Sequence, residues 1–326
     1  PYYVSGVVKE QRELMSTPVG VVRDPVFFSK VKNVHVRNGT EVLVIDREKK
    51  RVGVAPVGTA EPQEWLEYDK LVLCTGARPV RPPIPGADKL GVHALHEVED
   101  AECIKSMLSE HKAKDVVIVG GGLIGVEMTE ALAEHGCRVT VVEKLDQILT
   151  MLDAHMARLV EQHMEAKGVR VLTGTSVEEI LGTTQDDKHV GAVKTSRGVI
   201  PADMVILSIG VRPNVGLARA AGLALGEKTG AISVDQHMQT SDPDIYAAGD
   251  CVEAHHLLSG QKTFIPLGST ANKQGRVAAN HICGIADEFP GVLGSAVCKV
   301  FDYCVARTGL TEREARAAGF DAEVTL

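Results

Sequence analysis

The chain has 326 residues, of which 44% are hydrophobic and 24% are charged, and its formal net charge is −8. This length and composition predict a globular protein of two or three domains with a sizeable buried core. The acidic balance without a run of Lys or Arg argues against nucleic acid as a partner, and the absence of about 18 consecutive apolar residues argues against a membrane span.

The first part of the chain is predicted to be rich in β-strands. Apolar, β-branched stretches occur at residues 41–46, 51–57 and 65–74. The third stretch runs into Thr75 and Gly76, and a proline-dense connector follows at residues 81–86. Such a connector is typical of a domain boundary. A helix is predicted after it, at residues 97–109.

The most informative stretch is a β-branched run at residues 116–119, followed at once by glycines and a helix-forming segment. Gly120 permits a tight turn, Gly122 lets a pyrophosphate approach the backbone, and Gly125 allows the helix to pack close to the strand. The helix N-terminus then faces the phosphate charge. We therefore predict a dinucleotide-binding unit, with a glycine-rich turn of some other α/β unit as the alternative.

An acidic residue ends the next predicted strand, at residues 138–142. Glu143 lies 143 − 120 = 23 residues after Gly120, which is the usual place for a carboxylate that hydrogen-bonds an adenosine ribose. At about 4 Å, this charge would oppose a 2′-phosphate by up to roughly 4 kcal/mol at an effective dielectric constant near 20. The site is therefore expected to prefer NADH, although Lys144 offsets part of the repulsion and leaves NADPH possible.

The middle of the chain continues with a predicted helix at residues 151–167, which Gly168 ends. Four further strands are predicted at residues 169–172, 177–181, 190–195 and 204–208. A strand that ends in a small residue and a glycine occurs twice, at Gly76 and at Gly210. This repetition predicts two nucleotide-binding folds of similar design, one inserted in the other.

The last part of the chain is predicted to contain strand, loop and helix over residues 231–284. An apolar strand pattern follows from residue 295 to Val305, and a short charged helix begins at Thr311.

Seven cysteines are present, without a CxxC pair. We expect them to be buried, reduced, apolar residues, which implies a reducing cytoplasm. No set of Cys and His has the spacing of zinc ligands, and the adjacent pair His255-His256 diverges too much to bind one ion. No metal site is predicted.

The segment that ends in Asp250 resembles the second flavin motif of flavoproteins with two dinucleotide-binding domains. It has Thr240, then a strand that ends in Ala-Gly-Asp at Gly249 and Asp250. A carboxylate that only accepts hydrogen bonds can hold a ribitol hydroxyl there. Thr75 and Gly76 resemble the short Thr-Gly motif of the same family, so the resemblance places these residues at FAD.

Residues 266–276 resemble the flavin-side helix of the pyridine nucleotide-disulfide oxidoreductase branch of that family. A helix N-terminus aimed at the isoalloxazine would stabilise the anionic reduced flavin by about 0.3–2 kcal/mol. The residues that this likeness places at FAD are Pro266, Leu267, Gly268 and Thr270.

The resemblance also implies positions around NAD(H). Glu127, one turn into the nucleotide helix, matches a family glutamate near the nicotinamide, with an ordinary solvent-facing helix acid as the alternative. Leu123 and Ile124 would line the nicotinamide pocket or would only pack in the core. Gly210 matches a close approach of the backbone to the nicotinamide end.

Residues 1–6 resemble the segment after the redox cysteine in one subgroup, which contains coenzyme A disulfide reductase, NADH oxidase, NADH peroxidase and persulfide reductases. Residues 301–302 and 308–310 resemble the start of its C-terminal dimerisation domain. The implied fold class is α/β, with two Rossmann-like dinucleotide-binding domains and the start of an α+β dimerisation domain. The domain ranges expected are an FAD-binding domain at 1–86 and 213–290, an inserted NAD(H)-binding domain at 87–212, and the dimerisation domain from 291 to 326.

Two family features are expected outside the printed sequence. The first GxGxxG and the redox cysteine should precede Pro1, and most of the dimerisation domain should follow Leu326. We therefore expect the functional protein to be longer at both ends. None of the seven cysteines is assigned the redox role, and Glu127 alone is placed beside the reaction.

The resemblance implies an enzyme that passes hydride from NADH through FAD to the redox cysteine. Its substrate would be a small thiol, disulfide or persulfide, such as coenzyme A disulfide or polysulfide. The alternatives are an NADH oxidase or peroxidase with a cysteine sulfenic acid, an NADH-binding flavoprotein sensor, and an electron-carrier reductase such as a rubredoxin reductase. A cytoplasmic homodimer is expected, and Tyr2 and Tyr3 either border the substrate channel or pack.

Overall fold

The computed structural model describes residues 1–110 and 112–325. The chain divides into two compact units: unit 1 contains residues 1–23, 79–211 and the chain from 296 onward, and unit 2 contains residues 24–78 and 212–295. The domain ranges expected from the sequence remain a prediction.

The strands of the described residues are, in chain order, β1 (Thr40–Asp46), β2 (Arg51–Pro56), β3 (Glu64–Glu67), β4 (Leu71–Leu73), β5 (Ala77–Pro79), β6 (Val92–His93), β7 (Asp115–Val119), β8 (Arg138–Val142), β9 (Arg170–Leu172), β10 (Val177–Gly182), β11 (Val190–Thr195), β12 (Gly198–Pro201), β13 (Met204–Leu207), β14 (Val211–Pro213), β15 (Ile245–Ala247), β16 (Ala254–His255), β17 (Lys262–Thr263), β18 (Ala296–Val300) and β19 (Tyr303–Arg307). The helices are α1 (Gln11–Leu14), α2 (Pro25–Lys32), α3 (Val98–Ser109), α4 (Leu123–Glu134), α5 (Ala154–Ala166), α6 (Gly216–Ala220), α7 (Gly268–Ile282) and α8 (Glu312–Ala317). Within the part of the chain that the structure describes, no helix is long and apolar enough to cross a membrane.

Unit 1 is built on a five-stranded sheet in the order β6-β13-β7-β8-β9, and every neighbouring pair is parallel. Val116 and Ile118 of β7 face a core shared with α3, α4 and α5. Val117 and Val119 face a second core, shared with the antiparallel sheet β10-β11-β12. A strand that is covered on both faces needs an unbroken apolar run, which is what the β-branched sequence supplies.

The ends of the unit 1 helices follow local signals. Asp153 precedes α5, so this helix begins after the predicted residue 151, and Gly168 follows its end at a φ of +87°. Thr311 caps α8 by accepting a hydrogen bond from the Glu314 amide, while the Glu314 carboxylate accepts from the Thr311 amide. This reciprocal capping box explains why a six-residue helix forms at the predicted place.

Unit 2 contains the antiparallel sheet β1-β2-β3 and the parallel pair β4 and β15. Strand β15 is buried along its whole length, and α7 contributes Val277 and Ala278 to the same core. The parallel pair brings two chain segments about 170 residues apart to one sheet edge, where the chain turns into Thr75 and Gly249 respectively.

The predicted strand at residues 65–74 is in fact two strands in two sheets. Strand β3 pairs antiparallel with β2, whereas β4 pairs parallel with β15. Between them Lys70 forms an ion pair with Asp244. Both strands lie within the predicted apolar stretch, but their partner strands decide where the chain breaks.

The predicted strand at residues 295–305 is likewise a hairpin of β18 and β19, with Val300 opposite Tyr303. Phe301 turns the chain at a φ of +51°. Strand β12, at residues 198–201, was not predicted, and it pairs with β11. Short hairpins are marked mainly by turn geometry, which an apolar pattern does not show.

The expectation that the cysteines are buried is wrong for most of them. Only Cys251 and Cys298 are buried, and Cys137 is half-buried. The four exposed cysteines are Cys74, Cys103, Cys283 and Cys304. All seven lie within the described residues and are free thiols.

We predict that Leu132→Ala destabilises the protein by about 2–5 kcal/mol, because it empties a site in the unit 1 core. Leu132 lies on α4 and is 0% exposed. The matched control is Leu159→Ala on α5, where the side chain is 51% exposed and a change within about 0.5 kcal/mol is expected. Urea unfolding followed by circular dichroism measures both. Equal losses in the two variants would contradict the assigned core.

Candidate functional site

The glycine loop between β7 and α4 is packed so closely that side chains are excluded. A Cβ on Gly120 would lie 2.3 Å from the Ser208 carbonyl oxygen, and a Cβ on Gly125 would lie 2.2 Å from the Gly120 carbonyl oxygen. Gly120 also has a φ of +107°. The loop is therefore held against the end of β13, and α4 is held against the loop.

Gly122 differs from these two glycines because a Cβ there would meet no atom within 4 Å. It is the N-cap of α4, without a side-chain cap, and the first turn of the helix carries no acidic residue. The open space therefore adjoins a helix N-terminus whose dipole favours an anion. This is the geometry predicted for a pyrophosphate.

Glu143 ties the end of β8 to the glycine loop. Its Oε2 accepts a hydrogen bond from the Gly121 amide at 2.7 Å, and its Oε1 accepts one from the Leu145 amide, also at 2.7 Å. Two backbone donors fix the orientation of the carboxylate. Lys144, the next residue, is exposed.

These residues line a cleft of about 670 Å³ in unit 1. Its walls include Gly120, Gly122, Glu143, Lys144, Leu145, Thr150, Thr175, Ser176, Ser208 and Gly210. The cleft lies at the carboxyl ends of the parallel strands, where ligands bind in open α/β sheets. Most of the residues assigned to NAD(H) from the sequence are thus brought together.

Four residues assigned to NAD(H) do not line this cleft. Gly125 packs against the glycine loop instead, and the other three are assigned to the nicotinamide. Leu123 is partly buried against the unit 1 core, and Ile124 is 38% exposed. Glu127 faces a smaller pocket that Tyr2 and Lys299 also line. The pKa of the Glu127 carboxyl is raised from its usual value because burial disfavours its charged form. The nicotinamide roles of these three residues remain predictions.

The two tyrosines at the start of the chain have different surroundings. Tyr2 is 49% exposed and borders the pocket of Glu127. Tyr3 is buried, its hydroxyl donates a hydrogen bond to Glu102, and the Lys105 ammonium lies 3.7 Å from the centre of its ring. Tyr3 is therefore a packing residue, whereas Tyr2 borders a pocket.

In unit 2, four of the residues assigned to FAD lie at one edge of the parallel pair. Leu73 of β4 is opposite Ala247 of β15, so Thr75-Gly76 and Gly249-Asp250 leave the strands side by side. The Thr75 hydroxyl donates to the Asn214 backbone carbonyl oxygen at 2.6 Å, and the Asn214 side-chain Nδ2 donates to the Thr75 carbonyl oxygen at 2.9 Å. Gly249 has a φ of +87°, and Asp250 is half-buried.

Gln274 supports the Gly249 loop, although no sequence motif marks it. Its side chain is 2% exposed, and its Oε1 accepts a hydrogen bond from the Gly249 amide at 2.9 Å. A Cβ on Gly249 would also lie 3.5 Å from the Ala271 Cβ in the first turn of α7. Gln274 thus joins α7 to the loop that presents Asp250. A glutamine in a helix carries no local signal of such a role.

The first turn of α7 carries the remaining residues assigned to FAD. Leu267 is the N-cap and has no side-chain cap, and a Cβ on Gly268 would meet no atom within 4 Å. The start of α7, at Pro266 to Thr270, therefore has the open helix N-terminus that an anionic group needs. The residues at both motifs fit a dinucleotide. Each motif has a helix N-terminus with a glycine that leaves open space, and each has a carboxylate nearby, Glu143 in unit 1 and Asp250 in unit 2.

Comparisons with known proteins agree with this geometry. The family model of the pyridine nucleotide-disulphide oxidoreductases matches residues 3–275. An NADH oxidase of Methanocaldococcus jannaschii is 38% identical over 95% of this chain and 66% of its own length. A CoA-dependent NAD(P)H sulfur oxidoreductase of Pyrococcus abyssi is 36% identical over 98% of this chain and 68% of its own length.

Among solved structures, an NAD-dependent persulfide reductase from A. fulgidus superposes with a TM-score of 0.93 at 46% identity, covering 98% of this chain and 58% of that chain. This chain spans about two thirds of the length of the curated relatives. The predicted α/β fold, the predicted FAD and NAD(H) cofactors and the predicted subgroup are confirmed. The chain belongs to the pyridine nucleotide-disulphide oxidoreductase family, a family of flavin-dependent enzymes.

Proposed function

We propose that the protein is an FAD-dependent oxidoreductase that reduces a disulfide or persulfide, such as coenzyme A disulfide or polysulfide, with electrons from NADH. The observation that carries the proposal is the cleft around Gly120 and Glu143, since it provides a helix N-terminus and a fixed carboxylate for one dinucleotide. The persulfide reductase from A. fulgidus supports the substrate class.

Bound FAD would supply the redox chemistry that links NADH to a redox-active cysteine. The chain's own residues bind and orient. The α4 N-terminus holds the pyrophosphate, and Glu143 accepts from the ribose of NADH. In unit 2, Asp250 accepts from the ribitol of FAD, and the α7 N-terminus stabilises negative charge.

Glu127 is proposed to lie near the nicotinamide, where its raised pKa lets it keep a proton at a higher pH than an ordinary glutamate does. Glu143 is proposed to make NADH the preferred cofactor. We also propose that the protein is a cytoplasmic homodimer. Seven free cysteines fit a reducing compartment.

Two of the described thiols are poor candidates for the redox cysteine. Burial raises the pKa of the Cys298 thiol to about 11, and Glu127 adds to the shift. Burial also raises the pKa of the Cys137 thiol. The thiolate is the nucleophile in disulfide exchange, so thiols with raised pKa values are poor choices for this role.

A second candidate function is that of an NADH oxidase with a cysteine sulfenic acid. The observation that favours it is the 38% identity to the M. jannaschii NADH oxidase. Both functions need the same cofactor sites, and the electron acceptor distinguishes them.

The test of the proposed function is an anaerobic titration of the full-length protein with NADH, followed by absorbance. We expect a long-wavelength charge-transfer band from a thiolate to the flavin, and uptake of more electrons than the flavin alone accepts. A Cys298→Ser variant is the control and should keep the band. Simple bleaching at one NADH per FAD, without the band, would exclude both thiol-dependent functions. Turnover with polysulfide or coenzyme A disulfide, rather than oxygen, then favours the first function.

We further predict that Gln274→Leu weakens FAD binding by about 10-fold or more, because an unsatisfied buried amide costs about 1–3 kcal/mol. Gln274→Glu keeps an acceptor oxygen and should retain more FAD. Lys273→Ala, an exposed neighbour on α7, is the control. The measurement is the ratio of flavin to protein absorbance after dialysis. Full retention of FAD by Gln274→Leu would show that the Gly249 contact does not support the cofactor.

A further inference from the structure

A cationic side chain outside the nucleotide motif reaches the edge of the NAD(H) cleft. Arg197 lies in the turn between β11 and β12, where its amide donates to the Thr195 hydroxyl at 3.2 Å and the Thr195 hydroxyl donates to the Gly198 carbonyl oxygen at 2.8 Å. The Arg197 Nη2 donates to the Gly174 carbonyl oxygen at 3.4 Å. The turn is thus braced, and its guanidinium points toward the loop after β9.

Gly174 connects this guanidinium to the cleft. Its amide donates to the Leu145 carbonyl oxygen at 2.7 Å, and the Leu145 amide donates to Glu143. Leu145 and Thr175 both line the cleft. Arg197 therefore lies one residue beyond the cleft wall, at the end where the adenosine ribose would bind Glu143.

Gly174 also leaves little room for a side chain between Arg197 and the loop after β9. A Cβ there would lie 3.2 Å from the Arg197 Nη2 and 3.6 Å from the Asp146 Oδ1. Its φ of +58° further disfavours a side chain. The guanidinium and the loop therefore adjoin without an intervening side chain.

The charged groups at this end of the cleft differ in whether they already have hydrogen-bond or ion-pair partners. Both oxygens of Glu143 already accept backbone amides. Arg197 is exposed and forms no ion pair with any carboxylate of residues 1–110 and 112–325, and Lys144 is exposed on the cleft wall. Asp146 is the opposing charge nearby. Two available cations therefore flank the ribose position.

We propose that Arg197, together with Lys144, binds the 2′-phosphate of NADPH, so that the site accepts NADPH as well as NADH. This inference rests on the proposed function, because it assigns the adenosine end of the same cleft. The guanidinium suits the role, since its planar donors match a phosphate in a bidentate manner. A residue from the β11–β12 turn, in addition to the residues of the nucleotide motif, thereby decides whether NADPH binds as well as NADH.

The test measures the binding of two fragments, 2′,5′-ADP and 5′-AMP, to the full-length protein by calorimetry. They differ only in the 2′-phosphate, and neither requires turnover. We expect Arg197→Ala to weaken 2′,5′-ADP about 10-fold, the change typical of one hydrogen bond to a charged group, and to leave 5′-AMP within about 2-fold. The effect on 2′,5′-ADP should shrink as salt rises.

Two further variants sharpen the result. Asp146→Asn removes the opposing charge and should tighten 2′,5′-ADP, the reverse of Arg197→Ala. Arg170→Ala is the matched control, because Arg170 is an exposed arginine at the opposite, amino end of β9. Arg170→Ala should leave the affinity for both fragments unchanged.

The outcomes separate this inference from the proposed function. If Arg197→Ala weakens both fragments equally, or neither, then Arg197 does not bind the 2′-phosphate and the inference is overturned. If the unaltered protein binds neither NADH nor 5′-AMP, the proposed cleft itself is wrong. A selective loss of 2′,5′-ADP, with NADH binding retained, supports both.

Discussion

The closeness of backbone to backbone at the glycine loop is the constraint on which the dinucleotide unit depends. The positions of a Cβ on Gly120 and on Gly125 lie 2.3 Å and 2.2 Å from carbonyl oxygens, so any side chain would push β7, β13 or α4 apart. The α4 N-terminus faces the carboxyl ends of the strands only when β7, β13 and α4 pack this closely. The cleft is thus a consequence of absent side chains, and its chemistry comes from backbone amides and one carboxylate.

Glu143 shows how one residue serves both the fold and the site. With amides of Gly121 and Leu145 bound to its two oxygens, the carboxylate closes the glycine loop onto the end of β8. A carboxylate has about four lone-pair positions, so two remain for the ribose hydroxyls that we propose it binds. Because its orientation is fixed in advance, ligand binding does not have to pay the entropy of ordering this side chain.

The sequence predicted the elements whose signals are local. The apolar run at residues 116–119 predicts a strand, the glycines after it predict a turn, and Glu143 marks the end of the next strand. The structure brings these residues together at one cleft. The role of Gln274 could not be predicted from local signals, because its side chain acts through a hydrogen bond to an amide 25 residues away in sequence. The same holds for the strand break near Lys70, which partner strands in two different sheets decide.

The two units solve a common problem with different polar groups. In each, motif residues leave the carboxyl ends of parallel strands near an uncapped helix N-terminus, α4 in unit 1 and α7 in unit 2. Unit 1 fixes its loop with the charged Glu143, whereas unit 2 fixes the Gly249 loop with the neutral Gln274. A second carboxylate beside Asp250 would add negative charge at the α7 N-terminus, where we propose that the reduced flavin binds. A neutral acceptor holds the same backbone amide without that repulsion, which gives a physical reason for the choice of glutamine.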